Sequence, residues 1–195
     1  MSREFAAEFL SDNVKYFEVP QVKFCFLSAG DDHLRKKFND SLKTLPKDLD
    51  WYCLAGADDI ATEYFFYVLR DTPAHKVSMA GISEKKRDLF IKPLGSDAFK
   101  CKLNYNVQLL PGINAFSRAA MDFCKWKPYN QKGCETGAEK YFRLHGEIIP
   151  VDIGSIIMVK SENCLNSVQK IKRVHKCYEL SEQEMFYVNS YLDVK

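Results

Sequence analysis

The chain has 195 residues, of which 46% are apolar and 28% charged, and 28 basic side chains nearly balance 26 acidic ones. This composition excludes a disordered, collagen-like or coiled-coil chain and predicts an ordinary globular protein. The net charge of +2 gives no general attraction to nucleic acid or to a membrane surface. The apolar runs are too short to cross a membrane, so we expect no membrane partner.

The cysteines indicate a reducing environment. There are seven, an odd number, and none shows the C-x₂-C spacing of a zinc site. The first nine residues include Arg3, Glu4 and Glu8, which a secretory signal would not carry in its apolar segment. We therefore expect reduced thiols in an intracellular, cytoplasmic protein.

The first half of the chain alternates apolar runs with amphipathic segments. Residues 21–30, 49–56 and 76–81 are apolar and predict buried strands. Residues 31–45 and 58–69 lie between them and carry apolar side chains along one helical face. Strands that alternate with helices predict a parallel sheet with right-handed crossovers.

The second half is less regular. Residues 89–94 and 99–110 predict strands, and Ile113–Trp126 carries apolar side chains at helical spacing. Ser181 and Glu184 have the spacing of a capping box, which predicts the start of a final helix.

These patterns predict one domain of the α/β class over residues 1–195. Residues from about 20 to 82 would form a βαβαβ unit, the centre of a three-layer fold with a mainly parallel, Rossmann-like sheet. Residues from about 88 to 195 would add a mixed or antiparallel extension. No stretch rich in Gly, Ser or Pro divides the chain.

The ends of the predicted strands carry the strongest candidate site. An Ala-Gly pair recurs at positions 29–30, 55–56 and 80–81, about one βα unit apart. In an open parallel sheet the ligand crevice lies outside the carboxyl ends of the strands. Small residues there let a ligand approach the backbone, and the candidate ligand-binding residues are Ser28, Gly30, Gly56 and Ser83.

Acidic residues follow the same strand ends. Mg²⁺ prefers hard oxygen donors, so the candidate metal ligands are Asp31, Asp32, Asp58 and Asp59. A phosphate group beside these carboxylates would need the metal ion. The alternative is that the aspartates only cap helices and complement the helix dipole.

Two side chains near these aspartates are candidates for acid–base catalysis. Glu63 lies one helical turn beyond Asp59, and His33 directly follows Asp32. The alternative for both is a solvated side chain in the first turn of a helix. Neither G-x-G-x-x-G nor G-x-x-x-x-G-K-[ST] occurs, so we do not expect a dinucleotide-binding or P-loop protein.

A basic cluster near an aromatic residue, Tyr178, is a separate candidate site. It consists of Lys170, Lys172, Arg173 and Lys176. Basic groups beside aromatic rings can bind single-stranded nucleic acid. A solvated charged face is the alternative.

The favoured hypothesis is that the protein binds a small ligand. In its most specific version, the protein is an enzyme that acts with Mg²⁺ on a phosphate-bearing or nucleotide-like ligand. One alternative is a non-enzymatic interaction or assembly subunit, because catalytic motifs are lacking and 13% of residues are aromatic. Residues 64–67 are all aromatic, which predicts a helix buried on more than one side. Nucleic-acid binding is the other alternative, and the sequence leaves the oligomeric state open.

Overall fold

The structure, a computed structural model, confirms a mixed α/β fold. Within the residues it describes, six helices and nine strands are formed. The described residues are 34–55, 59–81, 88–102, 113–129, 134–160 and 167–192.

The helices are short. They are α1 (Leu34–Thr44), α2 (Glu63–Arg70), α3 (Arg118–Phe123), α4 (Cys134–His145), α5 (Val168–Val174) and α6 (Glu182–Ser190). The strands are β1 (Trp51–Leu54), β2 (Asp59–Ala61), β3 (Ser78–Gly81), β4 (Asp88–Pro93), β5 (Phe99–Lys102), β6 (Asn114–Ser117), β7 (Glu147–Pro150), β8 (Ile156–Lys160) and β9 (Lys176–Glu179).

The strands form two mixed sheets. The first sheet has the order β1-β6-β3-β7 and the second has the order β2-β8-β4-β5-β9. Among the described strands, only the pairs β3–β7 and β4–β8 are parallel. The other five pairs are antiparallel. The mainly parallel, Rossmann-like sheet expected from the sequence is therefore not what the described strands form.

Strand β6 explains much of this difference. β1 and β3 run in the same direction, as predicted, but β6 lies between them and is antiparallel to both. It falls within Ile113–Trp126, which the sequence predicted to be entirely helical. Ala115 and Phe116 are buried on opposite faces of the sheet. A strand buried on both faces lacks polar alternation, so its apolar spacing resembles that of a buried helix.

The chain crosses between the sheets where the sequence predicted turns from strand to helix. β1 is followed by β2 in the second sheet, and α2 begins only after β2. β7 of the first sheet is followed in the same way by β8 of the second. The backbone N–H of Val151 donates to the carbonyl of Gly81 (3.1 Å), and that of Thr62 donates to Ser155 (3.1 Å). The first of these bonds extends the β3–β7 pair and the second extends the β2–β8 pair, so each lies within one sheet, and the chain passes from the first sheet to the second after β1 and after β7.

Side chains from both sheets meet in the main core, together with side chains of α2 and α5. Neighbouring residues alternate between faces: Ala80 lies in the main core and Met79 on the opposite face, while Ile91 lies in the main core and Phe90 on the outer face of the second sheet. Helices α1, α3 and α4 cover the outer face of the first sheet, and α6 covers that of the second. Helices therefore cover the outer face of each sheet, while α2 and α5 contribute to the main core, and this two-sheet arrangement differs from the three-layer fold that the sequence predicted.

The capping box predicted at the start of the final helix is confirmed. The Ser181 hydroxyl accepts a hydrogen bond from the Glu184 backbone (3.3 Å), and the Glu184 carboxylate accepts one from the Ser181 backbone (2.9 Å). These bonds stabilise the first turn of α6, which borders a groove described below. Across the described ranges, the helices lack the length and apolarity needed to cross a membrane.

Candidate functional site

Most of the site predicted at the strand ends lies outside the described residues. Those members are Ser28, Gly30, Asp31, Asp32, His33, Gly56, Asp58 and Ser83. Their ligand, metal and catalytic roles stay predictions. In the part of the chain that is described, no three His, Cys, Asp or Glu side chains are grouped so that they could hold a metal ion.

Asp59 and Glu63 are the two described members of that predicted site. Asp59 is the first residue of β2 and lies opposite Met158 of β8, so it is part of a strand and does not cap a helix. Glu63 is exposed at the start of α2, and its carboxylate accepts a hydrogen bond from the Tyr191 hydroxyl. Burial and this bond raise the pKa of Tyr191. A catalytic role for Glu63 stays a prediction.

A groove of about 720 Å³ opens between α2, α6 and the loop that joins β7 to β8. We call it the α2–α6 groove. Its volume is in the range of small-molecule sites. Its lining residues are Tyr64, Tyr67, Val68, Asp71, Thr72, Phe90, Asp152, Ile153, Gly154, Ser155, Gln183, Glu184 and Tyr187.

Tyrosine rings form the walls of the groove. Phe65 and Leu69 bury one face of α2, and this leaves Tyr64 and Tyr67 on its other side, 52% and 47% exposed. The Tyr64 ring lies 6.2 Å from the Tyr67 ring and 6.0 Å from the Tyr187 ring, measured between centroids. The prediction that the aromatic run is buried on more than one side is wrong, because Phe65 alone of these four residues is buried.

Gly154 forms the floor of the groove. Its carbonyl oxygen accepts hydrogen bonds from the Thr62 hydroxyl (2.8 Å) and from the Tyr187 hydroxyl (2.9 Å). Thr62 is the N-cap residue of α2, but its hydroxyl makes this bond and does not cap the helix. Gly154 has φ +90°, and a Cβ atom there would lie 3.3 Å from the Tyr187 ring. The floor is thus hydrogen-bonded to both walls, and a side chain at Gly154 would press on the Tyr187 ring.

Ser155 lines the groove, and its hydroxyl is buried. The residue is 1% exposed, and its Oγ has no hydrogen-bond partner among the described residues. A buried polar group without a partner costs about 1–3 kcal/mol. Such groups are uncommon in folded proteins and call for a specific explanation.

The charged residues that line the groove are all acidic: Asp71, Asp152 and Glu184. A hydrogen bond from Lys100 (2.7 Å) lowers the pKa of Glu184. A hydrogen bond from Arg70 (2.9 Å) lowers the pKa of Asp71. Both carboxylates are therefore ionised at neutral pH. The Arg70 guanidinium also lies 4.9 Å from the centroid of the Tyr67 ring.

The structure places the predicted basic residues on α5 and β9. The Lys172 ammonium lies 4.8 Å from the centroid of Phe99, a residue of the main core. The Lys176 ammonium lies 5.2 Å from that of Tyr178, on the opposite side of the second sheet, because residues alternate along β9. Lys170 and Arg173 lie on α5. Nucleic-acid binding by these residues stays a prediction.

Comparisons with protein-family models, with curated proteins and with solved structures found no match for this chain. The site is therefore defined by its own geometry, an aromatic and acidic groove on a two-sheet α/β fold. Sequence reasoning missed it because its residues come from three distant segments, 64–72, 152–155 and 183–187, with Phe90 between them. The aromatic residues at 64–67 were the one sequence feature that pointed to this region. Their spacing does not distinguish a helix buried in the core from a helix that lines a binding groove.

Proposed function

We propose that this protein binds a small molecule in the α2–α6 groove. The observation that carries the proposal is the buried Ser155 hydroxyl, without a protein partner in the described residues, in a groove walled by exposed tyrosine rings. Concave sites with apolar walls and a few well-placed polar groups are typical of ligand binding. The ring faces would stack on the ligand, and Ser155 would orient it.

The residues that line the groove restrict the chemical class of the ligand more than the sequence alone does. The planar part of a nucleotide-like ligand would stack on the exposed face of one tyrosine ring. A phosphate group does not fit beside Asp71, Asp152 and Glu184 unless a cation such as Mg²⁺ accompanies it. Mg²⁺-assisted binding or turnover of a phosphate-bearing ligand is thus a narrower form of the proposal, and it requires the metal.

The first test is thermal unfolding of the full chain with a panel of ligands. The panel contains nucleotides and sugar phosphates, each with and without Mg²⁺, together with neutral and cationic aromatic fragments. A ligand that binds the folded state raises the unfolding midpoint by mass action. We expect at least one panel member to raise the midpoint of the unmodified protein.

Ser155→Ala locates the binding site. We expect this variant to unfold at the same temperature as the unmodified protein or higher, because it removes a buried hydroxyl without a partner. We also expect it to lose most of the shift caused by the ligand. The matched control is Ser96→Ala, at an exposed serine outside the groove. An equal ligand shift in Ser155→Ala and the unmodified protein, or no shift with any panel member, would overturn the proposal.

Protein interaction is the second candidate function. Leu144 of α4 and Phe186 of α6 are 80% and 79% exposed, which is high for large apolar side chains. They lie on helices that cover different sheets, and single exposed apolar residues are common on monomeric proteins. Sedimentation velocity of the unmodified protein and of Phe186→Ser tests this function. A monomer in both cases counts against self-association.

A further inference from the structure

We propose that Cys101 and Cys177 are a redox-sensitive pair, which a low-molecular-weight disulfide converts reversibly into a disulfide bond between β5 and β9. Both thiols are free in the structure. The proposal goes beyond the proposed function, because it concerns a covalent modification of the second sheet. It is carried by the register of the two strands and by the different exposure of the two thiols.

The register of β5 and β9 places the two cysteines directly opposite each other. The strands are antiparallel, and Cys101 pairs with Cys177. Directly opposite residues of an antiparallel pair have Cα atoms about 4.5 or 5.5 Å apart and side chains on the same face. Both separations lie within the range of about 4.4–6.8 Å that a disulfide spans. A bond between the two residues therefore requires rotation of side chains but little movement of the backbone.

The two thiols differ in their access to solvent. Cys101 is fully buried in the main core, whereas Cys177 is half-buried and packs against that core. The Cys177 thiol also donates a long hydrogen bond to the carbonyl of His175 (3.5 Å), which oxidation would remove. A reagent in solution therefore reaches Cys177 first, and Cys101 reacts only with a group already attached to Cys177.

The ionisation of the thiols gives the same order of reaction. Burial raises the pKa of both, but the interaction between them raises the pKa of Cys101 further and lowers that of Cys177. The charge of Lys172 also lowers the pKa of Cys177. Since the thiolate is the nucleophile in disulfide exchange, Cys177 is the attacking thiol and Cys101 the resolving thiol.

The oxidation consists of two exchange steps. The Cys177 thiolate attacks one sulfur of the small disulfide, which forms a mixed disulfide and releases one small thiolate that takes up a proton. Cys101 then loses its proton and attacks Sγ of Cys177, which releases the second small thiol. One small disulfide is thus reduced to two thiols while the protein dithiol is oxidised. A thiol held beside its target has a high effective concentration, which offsets the low thiolate fraction of Cys101.

The disulfide would attach an edge strand covalently to its sheet. Among the described strands, β9 lies at the edge of the second sheet and pairs only with β5. Its other three residues are exposed, so little burial holds it in place. The bond would also close the long stretch of chain between the two cysteines, which restricts the unfolded chain. Oxidation should therefore stabilise the folded protein and protect β9 from local opening.

The experiment treats the folded full chain with excess oxidised glutathione at pH 8. Free thiols are blocked with N-ethylmaleimide, and a digest made without reduction is mapped by mass spectrometry. We expect one main product, in which Cys101 is linked to Cys177, and a rise of about 5–10 °C in the unfolding midpoint. Dithiothreitol should reverse both changes. A lasting glutathione adduct on Cys177, mixed pairing with other cysteines, or a midpoint that does not rise would overturn the proposal.

Two variants distinguish a specific pair from general oxidation of thiols. Cys177→Ser should leave Cys101 reduced and show no rise in the midpoint. The matched control is Cys124→Ser, which removes a different buried free thiol, on the outer face of the first sheet. It should form the Cys101–Cys177 bond as readily as the unmodified protein. Oxidation of Cys101 in folded Cys177→Ser would overturn the proposal, and peptide mapping of the unmodified protein tests it without any variant.

Discussion

The hydroxyl of Tyr187 donates a hydrogen bond to the carbonyl oxygen of Gly154, at 2.9 Å, and the buried hydroxyl of Thr62 donates to the same oxygen at 2.8 Å. One acceptor therefore connects the start of α2, the loop between β7 and β8, and α6. A carbonyl oxygen has two lone pairs, so both donors can be accommodated. The floor and both walls of the α2–α6 groove are held together by these two bonds.

This shared acceptor predicts coupling between Thr62→Val and Tyr187→Phe. Each substitution removes one donor with little change in shape, and each should lower the free energy of unfolding by about 1 kcal/mol. The double variant should lose more than the sum of the two, because only then does the carbonyl lack both donors. Urea denaturation of all four proteins completes the cycle. Strict additivity would show that the two bonds act independently.

The conformation of Gly154 predicts that alanine is poorly tolerated there. Gly154 and Gly95 both have positive φ, +90° and +79°. A Cβ atom at Gly95 would meet no atom within 4 Å, whereas one at Gly154 would lie 3.3 Å from Tyr187 and 3.5 Å from Phe90. Gly95→Ala should cost about 1–2 kcal/mol, from backbone strain alone.

Gly154→Ala should be more destabilising than its Gly95 counterpart, because the Tyr187 ring must also move. The two free energies of unfolding, measured in urea, give the comparison directly. Gly154→Ala should also weaken any ligand bound in the groove, while Gly95→Ala should not. Equal losses of stability in the two variants would show that the contact with Tyr187 does not affect the free energy of unfolding.

The features that the sequence predicted correctly are mostly local. The capping box at Ser181 and Glu184 depends on two residues within one helical turn, and the structure contains it. The amphipathic pattern after residue 31 predicts a helix, and α1 occupies Leu34–Thr44. These elements are determined by neighbouring residues, so a pattern read along the chain is sufficient to predict them.

The features that the sequence did not predict depend on distant pairing. The first sheet is mixed because β6, from a later part of the chain, lies between β1 and β3 and is antiparallel to both. Asp59 illustrates the same limit, because its pairing with Met158 of β8 makes it part of a strand. The groove brings Tyr64, Ser155 and Tyr187 together in the same way. A local sequence pattern does not predict which distant segments pair or pack together.

We expect the free energy of unfolding to fall on mild acidification because His175 is buried. His175 joins α5 to β9, its side chain is buried, and burial lowers the pKa of His175 below its usual 6.5. The unfolded chain therefore takes up a proton at a higher pH than the folded protein does. The contribution of His175 to stability is full above about pH 6.5 and is lost as the pH falls toward the folded pKa.

Urea denaturation between pH 7.5 and 5 measures this effect. Asp71 and Glu184, whose pKa values are lowered, also lose their stabilising contributions on acidification, but only at and below the ordinary carboxyl range near pH 4. We therefore expect a decline in the free energy of unfolding between pH 7 and 5 that His175→Gln reduces. A steeper decline in that variant than in the unmodified protein would contradict the assignment.

We expect the thiol of Cys101 to stay unreactive while the protein is folded. Burial in the main core raises the pKa of Cys101 to about 12, and only the thiolate is an effective nucleophile. At pH 8 only about one molecule in ten thousand would carry the thiolate. Cys177 lies directly opposite Cys101 in the β5–β9 pair and is half-buried. Burial raises the pKa of Cys177 as well, but the charge of Lys172 opposes this shift.

Iodoacetamide at pH 8, followed by peptide mass spectrometry, tests this order of reactivity. In the folded protein we expect Cys177 to be alkylated before Cys101, and in concentrated urea we expect both to react at similar rates, because unfolding removes the burial that raises each pKa. Cys177→Ser is the control: it should leave Cys101 unreactive if burial in the main core is the cause. Rapid alkylation of Cys101 in folded Cys177→Ser would show instead that contact with the neighbouring thiol protects it, or that β9 separates readily from β5.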